Sequence, residues 1–266
     1  MSTIKTNNIF DLKGKVALIT GGNGGIGLGF AMGIAKSGGD VCIWGRNEEK
    51  NEQALKLLKA TGSAGKFAAF VCDVSNEQQV NECFQSTLET FGRVDGCFAN
   101  AGVIGTDSSF IDRSFSEWKK LMSINVDGVF LTLQVAAKHM VERAKKGDAF
   151  GRLVATSSTA SRMGAARNEH YGASKSAVNG LSKALAVELA RYKITSNTIL
   201  PGWFESEMTQ KAVENTKFNE RVIARVPLRR WGNPEEFQGI AAYLMSDASS
   251  YHTGDEILID GGYTQF

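Results

Sequence analysis

The stretch that decides the fold is VALITGGNGGIG, Val16–Gly27. Five apolar or β-branched residues end at Thr20, and the chain then passes through Gly21, Gly22, Asn23, Gly24 and Gly25 to reach Ile26 and Gly27. Gly22, Gly24 and Gly27 fit G-x-G-x-x-G; Gly21, Gly25 and Gly27 fit T-G-x-x-x-G-x-G. Glycine suits this place because the backbone must turn sharply, approach a pyrophosphate closely and pack a helix tightly on a strand. The helix that opens here presents free N–H groups to an anion. With a strand before it and a helix after it, the turn is predicted to bind a nucleotide.

Outward from this turn, short apolar runs alternate with longer amphipathic ones. Val41–Trp44, Phe67–Cys72, Gly96–Ala99, Leu153–Thr156, Ile194–Leu200 and Glu256–Ile259 join Val16–Thr20 as predicted strands. Most are bounded by Gly, Asp or Asn, as buried parallel strands tend to be. Between them Gly25–Ser37, Asn47–Ala60, Glu77–Phe91, Ser116–Ala144, Tyr171–Arg191 and Pro234–Ser246 have helical spacing. Ser75, followed by Glu77 and Gln78, is the expected start of the third helix. Such alternation predicts an α/β fold, a doubly wound parallel sheet in a single domain over residues 1–266. Residues 1–11 read as an N-terminal extension. Residues 204–230 break the rhythm and are expected to form a substrate flap.

Composition excludes several classes. Lys and Arg number 30 and Asp and Glu 28, so the net charge of +2 gives no global field for nucleic acid or an anionic membrane. The opening MSTIKTNNIFDLKGK lacks the apolar core of a signal peptide, and no run reaches the length of a membrane span, so a cytoplasmic protein is expected. Cys42, Cys72, Cys83 and Cys97 form no C-x-x-C pair, and His139, His170 and His252 form no H-E-x-x-H; no metal site is expected. The cysteines read as small buried hydrophobes in a reducing compartment.

The second predicted strand ends in Gly45-Arg46, where a dinucleotide site usually places an acid for the ribose hydroxyls. Arg46 instead suits the 2′-phosphate of NADP. A charge-assisted hydrogen bond there, worth about 1.5–3 kcal/mol, gives roughly a ten- to hundredfold preference. NADP(H) is therefore favoured, with NAD(H) as the alternative. Tyr171 and Lys175, in YGASK, share one helix face. A free tyrosine has a pKa of about 10, and a neighbouring ammonium favours the phenolate. A tyrosine so tuned gives a proton to a developing alkoxide or takes one from an alcohol.

On these residues the chain resembles a classical short-chain dehydrogenase/reductase from Leu12 to Gly262. Thr20-Gly21 with Gly25-Ile26-Gly27 matches the family's glycine turn, with Asn23 inside it. Asp73, followed by Val74, matches the acid that contacts adenine. Asn100-Ala101-Gly102 matches the last three residues of a sheet-stabilising N-N-A-G, with Ala99 replacing the first asparagine. Asn125 matches the asparagine that kinks the long helix and holds a proton-relay water. Ser158 lies 13 residues before Tyr171, the family's usual separation, with Ser157 as its rival. Pro201-Gly202 matches the P-G after the sixth strand, and Ser206 stands where a threonine often contacts the nicotinamide carboxamide.

The resemblance implies that Tyr171 is the general acid/base, that Lys175 lowers its pKa and bonds the nicotinamide ribose, and that Ser158 donates to the substrate oxygen. It implies that Asn125 completes the proton path. The expected reaction interconverts a ketone or aldehyde and a secondary alcohol. Ala160, Met163, Arg167, His170 and Trp203 are expected to line the substrate pocket, with Arg162, Phe204 and Glu205 nearby. Arg162 or Arg167 would suit a carboxylate or polyol, and Trp203 either a ring or sugar face or a cap on the cofactor. Reductases of 3-oxoacyl groups on acyl carrier protein usually carry a docking arginine where Val187 stands, so a sugar, polyol, cyclic or diketone substrate is favoured over that alternative. A non-catalytic nucleotide sensor or scaffold is the alternative of another class. Family members are usually homotetramers, and the same assembly is expected here.

Overall fold

The computed structural model describes residues 8–265; residues 1–7 and 266, and with them most of the expected N-terminal extension, lie outside the described residues. Seven strands build one parallel sheet: β1 (Val16–Thr20), β2 (Asp40–Gly45), β3 (Phe67–Val71), β4 (Gly96–Ala99), β5 (Gly151–Thr156), β6 (Ile194–Pro201) and β7 (Glu256–Ile259). Their order is β3-β2-β1-β4-β5-β6-β7. The inner strands β1, β4, β5 and β6 are buried throughout, which is why they read as unbroken apolar runs rather than alternating ones. Helices cover both faces. On one, Phe30 and Ile34 of α1 (Gly25–Lys36) pack with Phe237 and Leu244 against β1 and β2. On the other, helices α3 (Glu77–Phe91), α5 (Gly128–Lys145) and α6 (Glu169–Leu189) bury Phe84, Leu133 and Val178; α2 (Glu48–Lys59) covers the β2–β3 edge.

The long helix expected over Ser116–Ala144 is divided. It runs as α4 (Phe115–Met122), a π turn over Ser123–Asp127, then α5. The wide turn rotates Asn125 inward, where it is fully buried. The third helix is capped by Asn76 rather than Ser75: Asn76 Oδ1 accepts from Gln79 N at 3.1 Å. Ser75 is occupied elsewhere, donating its hydroxyl to Asp73 Oδ1 at 2.7 Å. Residues 204–230 contain two short helices, α7 (Gln210–Glu214) and α8 (Thr216–Arg225). The last helical stretch begins as a 3-10 turn, Pro234–Phe237, and continues as α9 (Gln238–Met245).

Cys42, Cys72 and Cys97 are buried and Cys83 is half-buried; all are free thiols. Among the described residues, no helix is long and apolar enough to cross a membrane, and no three His, Cys, Asp or Glu side chains are grouped to hold a metal ion. A charged cluster closes the end of the sheet remote from the loops carrying Gly21 and Asn100. Asp95, wholly buried, accepts from Val16 N at 2.9 Å and pairs with Arg93 (2.6 Å) and Arg143 (2.9 Å).

Candidate active site

The strand order reverses between β1 and β4, so the loops leaving these two strands diverge and open a crevice at their C-terminal ends. Both predicted glycine motifs run from the loop after β1 into the first turn of α1. Gly21 has φ +62°, a left-handed conformation that costs a side-chain-bearing residue steric strain. Gly27 lies against the carbonyl of Gly21 and the amide of Asn100, with no room for a Cβ. Gly24 is the N-cap of α1, and no side chain caps that helix, which leaves its first N–H groups for an anion.

Asn100 binds the crevice together. Its Nδ2 donates to the Thr20 carbonyl (3.1 Å) and its Oδ1 accepts from Thr156 Oγ1 (3.0 Å), while Thr20 Oγ1 accepts from the N–H groups of Asn100 (2.9 Å) and Ala101 (3.0 Å). One asparagine thus joins the ends of β1, β4 and β5. Asn23 Nδ2 donates to Asn51 Oδ1 (2.7 Å), and Asn51 Nδ2 to the Gly45 carbonyl (2.9 Å), tying the glycine turn to the end of β2.

Arg46 follows Gly45 and is exposed; no hydrogen bond or ion pair engages its side chain among the described residues. Asp73 has its carboxyl held below the usual range, chiefly by the Ser75 hydroxyl, and Val74 packs on Gly128 at the head of α5. Gly202 lies against Asp260, and Ser206 lies beside Gly25, across the glycine turn. The cradle therefore fits a dinucleotide: uncapped N–H groups for the pyrophosphate, an unpaired cation at one end and Ser206 near the other.

Across the crevice, the first turns of α6 bring Tyr171 and Lys175 to one side. Lys175 Nζ lies 5.6 Å from the centre of the Tyr171 ring and donates to the Thr156 carbonyl at 2.8 Å. Burial lowers its pKa to about 8. Burial raises the pKa of the Tyr171 hydroxyl, and a hydrogen bond with Ser158 offsets part of that rise. Ser157 is buried and donates to the Lys175 carbonyl at 3.0 Å, whereas Ser158 Oγ accepts from Ala160 N at 3.1 Å and lies beside the Tyr171 hydroxyl. Asn125 has both ends of its amide committed: Oδ1 accepts from Val103 N (2.8 Å), and Nδ2 donates to Val103 O (2.9 Å) and Ser174 Oγ (3.2 Å). It locks the loop after β4 to α6, and Gly102 lies against both Asn125 and Lys175.

The expected pocket residues scatter. Ala160 and Met163 border a surface depression of about 580 Å³ with Arg162, Glu169 and Ser176, and neither Ser158 nor Tyr171 lines it. Arg162 donates to Glu256 Oε2 at 2.8 Å, and Arg167 pairs with Asp107 at 2.7 Å. Trp203 packs edge-on against Phe218, Trp231 and Tyr263, with centroids 5.3, 5.5 and 6.2 Å away, so it anchors α8. His170 is buried against Arg113. Phe204 is in the core and Glu205 is exposed.

The model of a family described as enoyl-(acyl carrier protein) reductase matches residues 21–264. The chain belongs to the short-chain dehydrogenase/reductase family. A sorbose reductase of Schizosaccharomyces pombe is 36% identical over 260 residues, covering 96% of this chain and 98% of that one. Solved members superpose closely. A gluconate 5-dehydrogenase from Burkholderia cenocepacia, in complex with NADP and tartrate, gives a TM-score of 0.88 at 34% identity over 97% of this chain and 98% of its own. An NAD+-bound xylitol dehydrogenase gives 0.87 at 31% identity over 94% and 99%. Reductases of 3-oxoacyl-[acyl-carrier-protein] also match. As a short-chain dehydrogenase/reductase, the chain is an oxidoreductase of the CH–OH-acting kind. Sequence reasoning missed Asn51, Ser174 and Arg113. Their partners lie 28, 49 and 57 residues away, beyond any local pattern.

Proposed function

We propose that the chain is an NADP(H)-dependent carbonyl reductase acting on a polyhydroxylated substrate, a ketose and its polyol. The observation that carries this reading is the convergence of Ser158, Tyr171 and Lys175 on the crevice that holds the glycine turn. Bound nicotinamide would supply or accept the hydride. Gly21, Asn23, Gly25, Ile26 and Gly27 would cradle the pyrophosphate, Arg46 the 2′-phosphate, Asp73 and Val74 the adenine end. Asn100, Ala101, Gly102, Pro201, Gly202 and Ser206 would flank the nicotinamide end.

Tyr171 gives a proton to the developing alkoxide, and Ser158 donates to the same oxygen. A tyrosine phenol is protonated at neutral pH, which suits reduction. Lys175 would bond the nicotinamide ribose hydroxyls, and Asn125 ties the loop after β4 to α6. The sugar-converting relatives support a polyol-type substrate. Arg162 is already paired with the largely buried Glu256, which favours a neutral ketose over a sugar acid. Val187, 83% exposed on α6, offers no cation to an acidic carrier protein.

The test is loss of reduced-nicotinamide absorbance, with NADPH and NADH in parallel. The panel holds ketoses, keto sugar acids, diketones, cyclic ketones and acetoacetyl thioesters. Fastest turnover of a ketose with NADPH supports the reading; preference for the thioester or for NADH overturns the corresponding part. Assembly as a homotetramer belongs to the same proposal. Phe130, Leu133, Ala137, Val141, Leu181 and Leu185 line an apolar groove of about 620 Å³ between α5 and α6. Light scattering that reports a monomer at micromolar concentration would refute it.

A further inference from the structure

Arg113 has no part in the site described so far, yet it is among the most engaged side chains in the molecule. It lies just before α4, on a largely exposed loop, and its side chain is only 4% exposed. Nη1 meets His170 Nε2 at 3.0 Å. Nη2 donates to three carbonyls: Thr106 (3.2 Å), Ser108 (2.8 Å) and Arg167 (2.6 Å). Nε faces the Glu169 carboxylate at 3.9 Å. Thr106 and Ser108 belong to the loop that follows Gly102. Arg167, Glu169 and His170 belong to the stretch that runs into Tyr171. A single buried guanidinium therefore joins the two loops that flank the Ser158–Tyr171 pair.

Two further features fit this arrangement. Gly105 lies so close to the His170 ring that any Cβ would overlap the imidazole, so the ring seats only against glycine. A guanidinium only donates, and it stays charged at any working pH. His170 Nε2 must then be the acceptor, and the ring is the neutral tautomer with its proton on Nδ1. Burial and the Arg113 charge both favour that neutral form. His170 directly precedes Tyr171, in the first turn of α6. The seat of the imidazole therefore fixes where that turn begins and where the phenol points.

We propose that Arg113 is a positioning residue: it locks His170 and the two flanking loops together and thereby sets Tyr171 against Ser158 without touching substrate. This rests on the proton-donor role of Tyr171 given above. A displacement of about 1 Å at a catalytic group costs on the order of 100-fold in rate. Arg113→Gln should therefore lower kcat by about 30-fold or more, while the Kd for NADPH stays within about threefold because the glycine turn and Asn100 are untouched. Arg113→Lys should not restore kcat, since one ammonium on a flexible stem cannot reproduce the planar fork. Gly105→Ala should reproduce the defect by unseating the ring. Low-millimolar guanidinium should restore part of the kcat of Arg113→Ala and leave wild type unchanged.

The experiment measures kcat, KM, NADPH Kd and Tm for these variants beside Tyr171→Phe. Wild-type kcat in Arg113→Gln, or parallel loss of kcat and NADPH binding, overturns the proposal. If Arg113→Gln does not fold, Gly105→Ala decides: wild-type kcat there overturns the proposal, and a kcat-only defect supports it. Turnover surviving in Tyr171→Phe would sink the underlying reading. Loss in Tyr171→Phe with normal Arg113 and Gly105 variants would sink only this inference.

Discussion

Replacing Arg46 with alanine tests the cofactor assignment most sharply. Arg46 is exposed at the end of β2, so its removal should change stability by no more than about 0.5 kcal/mol. A charge-assisted hydrogen bond to a phosphate is worth about 1.5–3 kcal/mol, and solvent and salt place an exposed arginine toward the lower part of that range. Lys50, the next cation along α2, is engaged by Glu207 at 2.5 Å and does not substitute. A loss of about 2 kcal/mol corresponds to about a 30-fold rise in the Kd for NADPH. NADH has no 2′-phosphate, and its Kd should move by less than about twofold. The assay is fluorescence titration of both nucleotides, for wild type and Arg46→Ala, at low and physiological salt. The NADPH effect should shrink as salt rises. Equal weakening of both nucleotides, or an unchanged ratio, would refute the assignment and leave Arg46 a solvated surface residue.

Three further outcomes are expected. Lys175→Met should abolish turnover yet raise Tm at neutral pH, because burial holds the amine at about 8 against an ordinary value near 10.5, a cost of about 3 kcal/mol before the lost Thr156 bond is counted. Between about pH 8 and 10.5 the unfolded chain binds a proton there that the folded one does not, so wild-type stability rises with pH and the Tm gap should close by about pH 10.5; a gap that widens would contradict this. Asp95→Ala should leave Arg93 and Arg143 without their buried anion and cost about 3–5 kcal/mol, read as a Tm loss of roughly 10 °C, with NADPH affinity unchanged. Ser158→Ala should lower kcat by about 100-fold, and Ser157→Ala should lower Tm more than kcat; the reverse pattern would exchange their roles.

The inner strands were legible because burial on both faces leaves continuous apolar runs that end in turn residues, and the half-buried β3 and β7 because their short apolar runs are bounded by polar and turn residues. The glycine turn was legible because its constraint is local: Gly21 needs a positive φ and Gly27 a close approach. The π turn at Ser123–Asp127 was not, since adding one residue to a helical turn barely alters the apolar period around it. Its reason lies in a tertiary contact, the Asn125 amide closing on Val103 and Ser174. Asn76 rather than Ser75 caps α3 because the Ser75 hydroxyl is bonded to Asp73, a contact that two adjacent cap-forming residues do not reveal in sequence. The partners of Arg162 and Trp203 were the least legible, because Glu256, Phe218 and Tyr263 come from distant segments of the chain.

The central claim is that Tyr171 is the proton donor of a reductase. It is tested most directly by comparing wild type with Tyr171→Phe in NADPH oxidation by the best ketone, with NADPH Kd measured on the same preparations. The account predicts a fall in kcat of at least about 100-fold, with the Kd within about twofold of wild type. Turnover that survives the loss of the hydroxyl would contradict it.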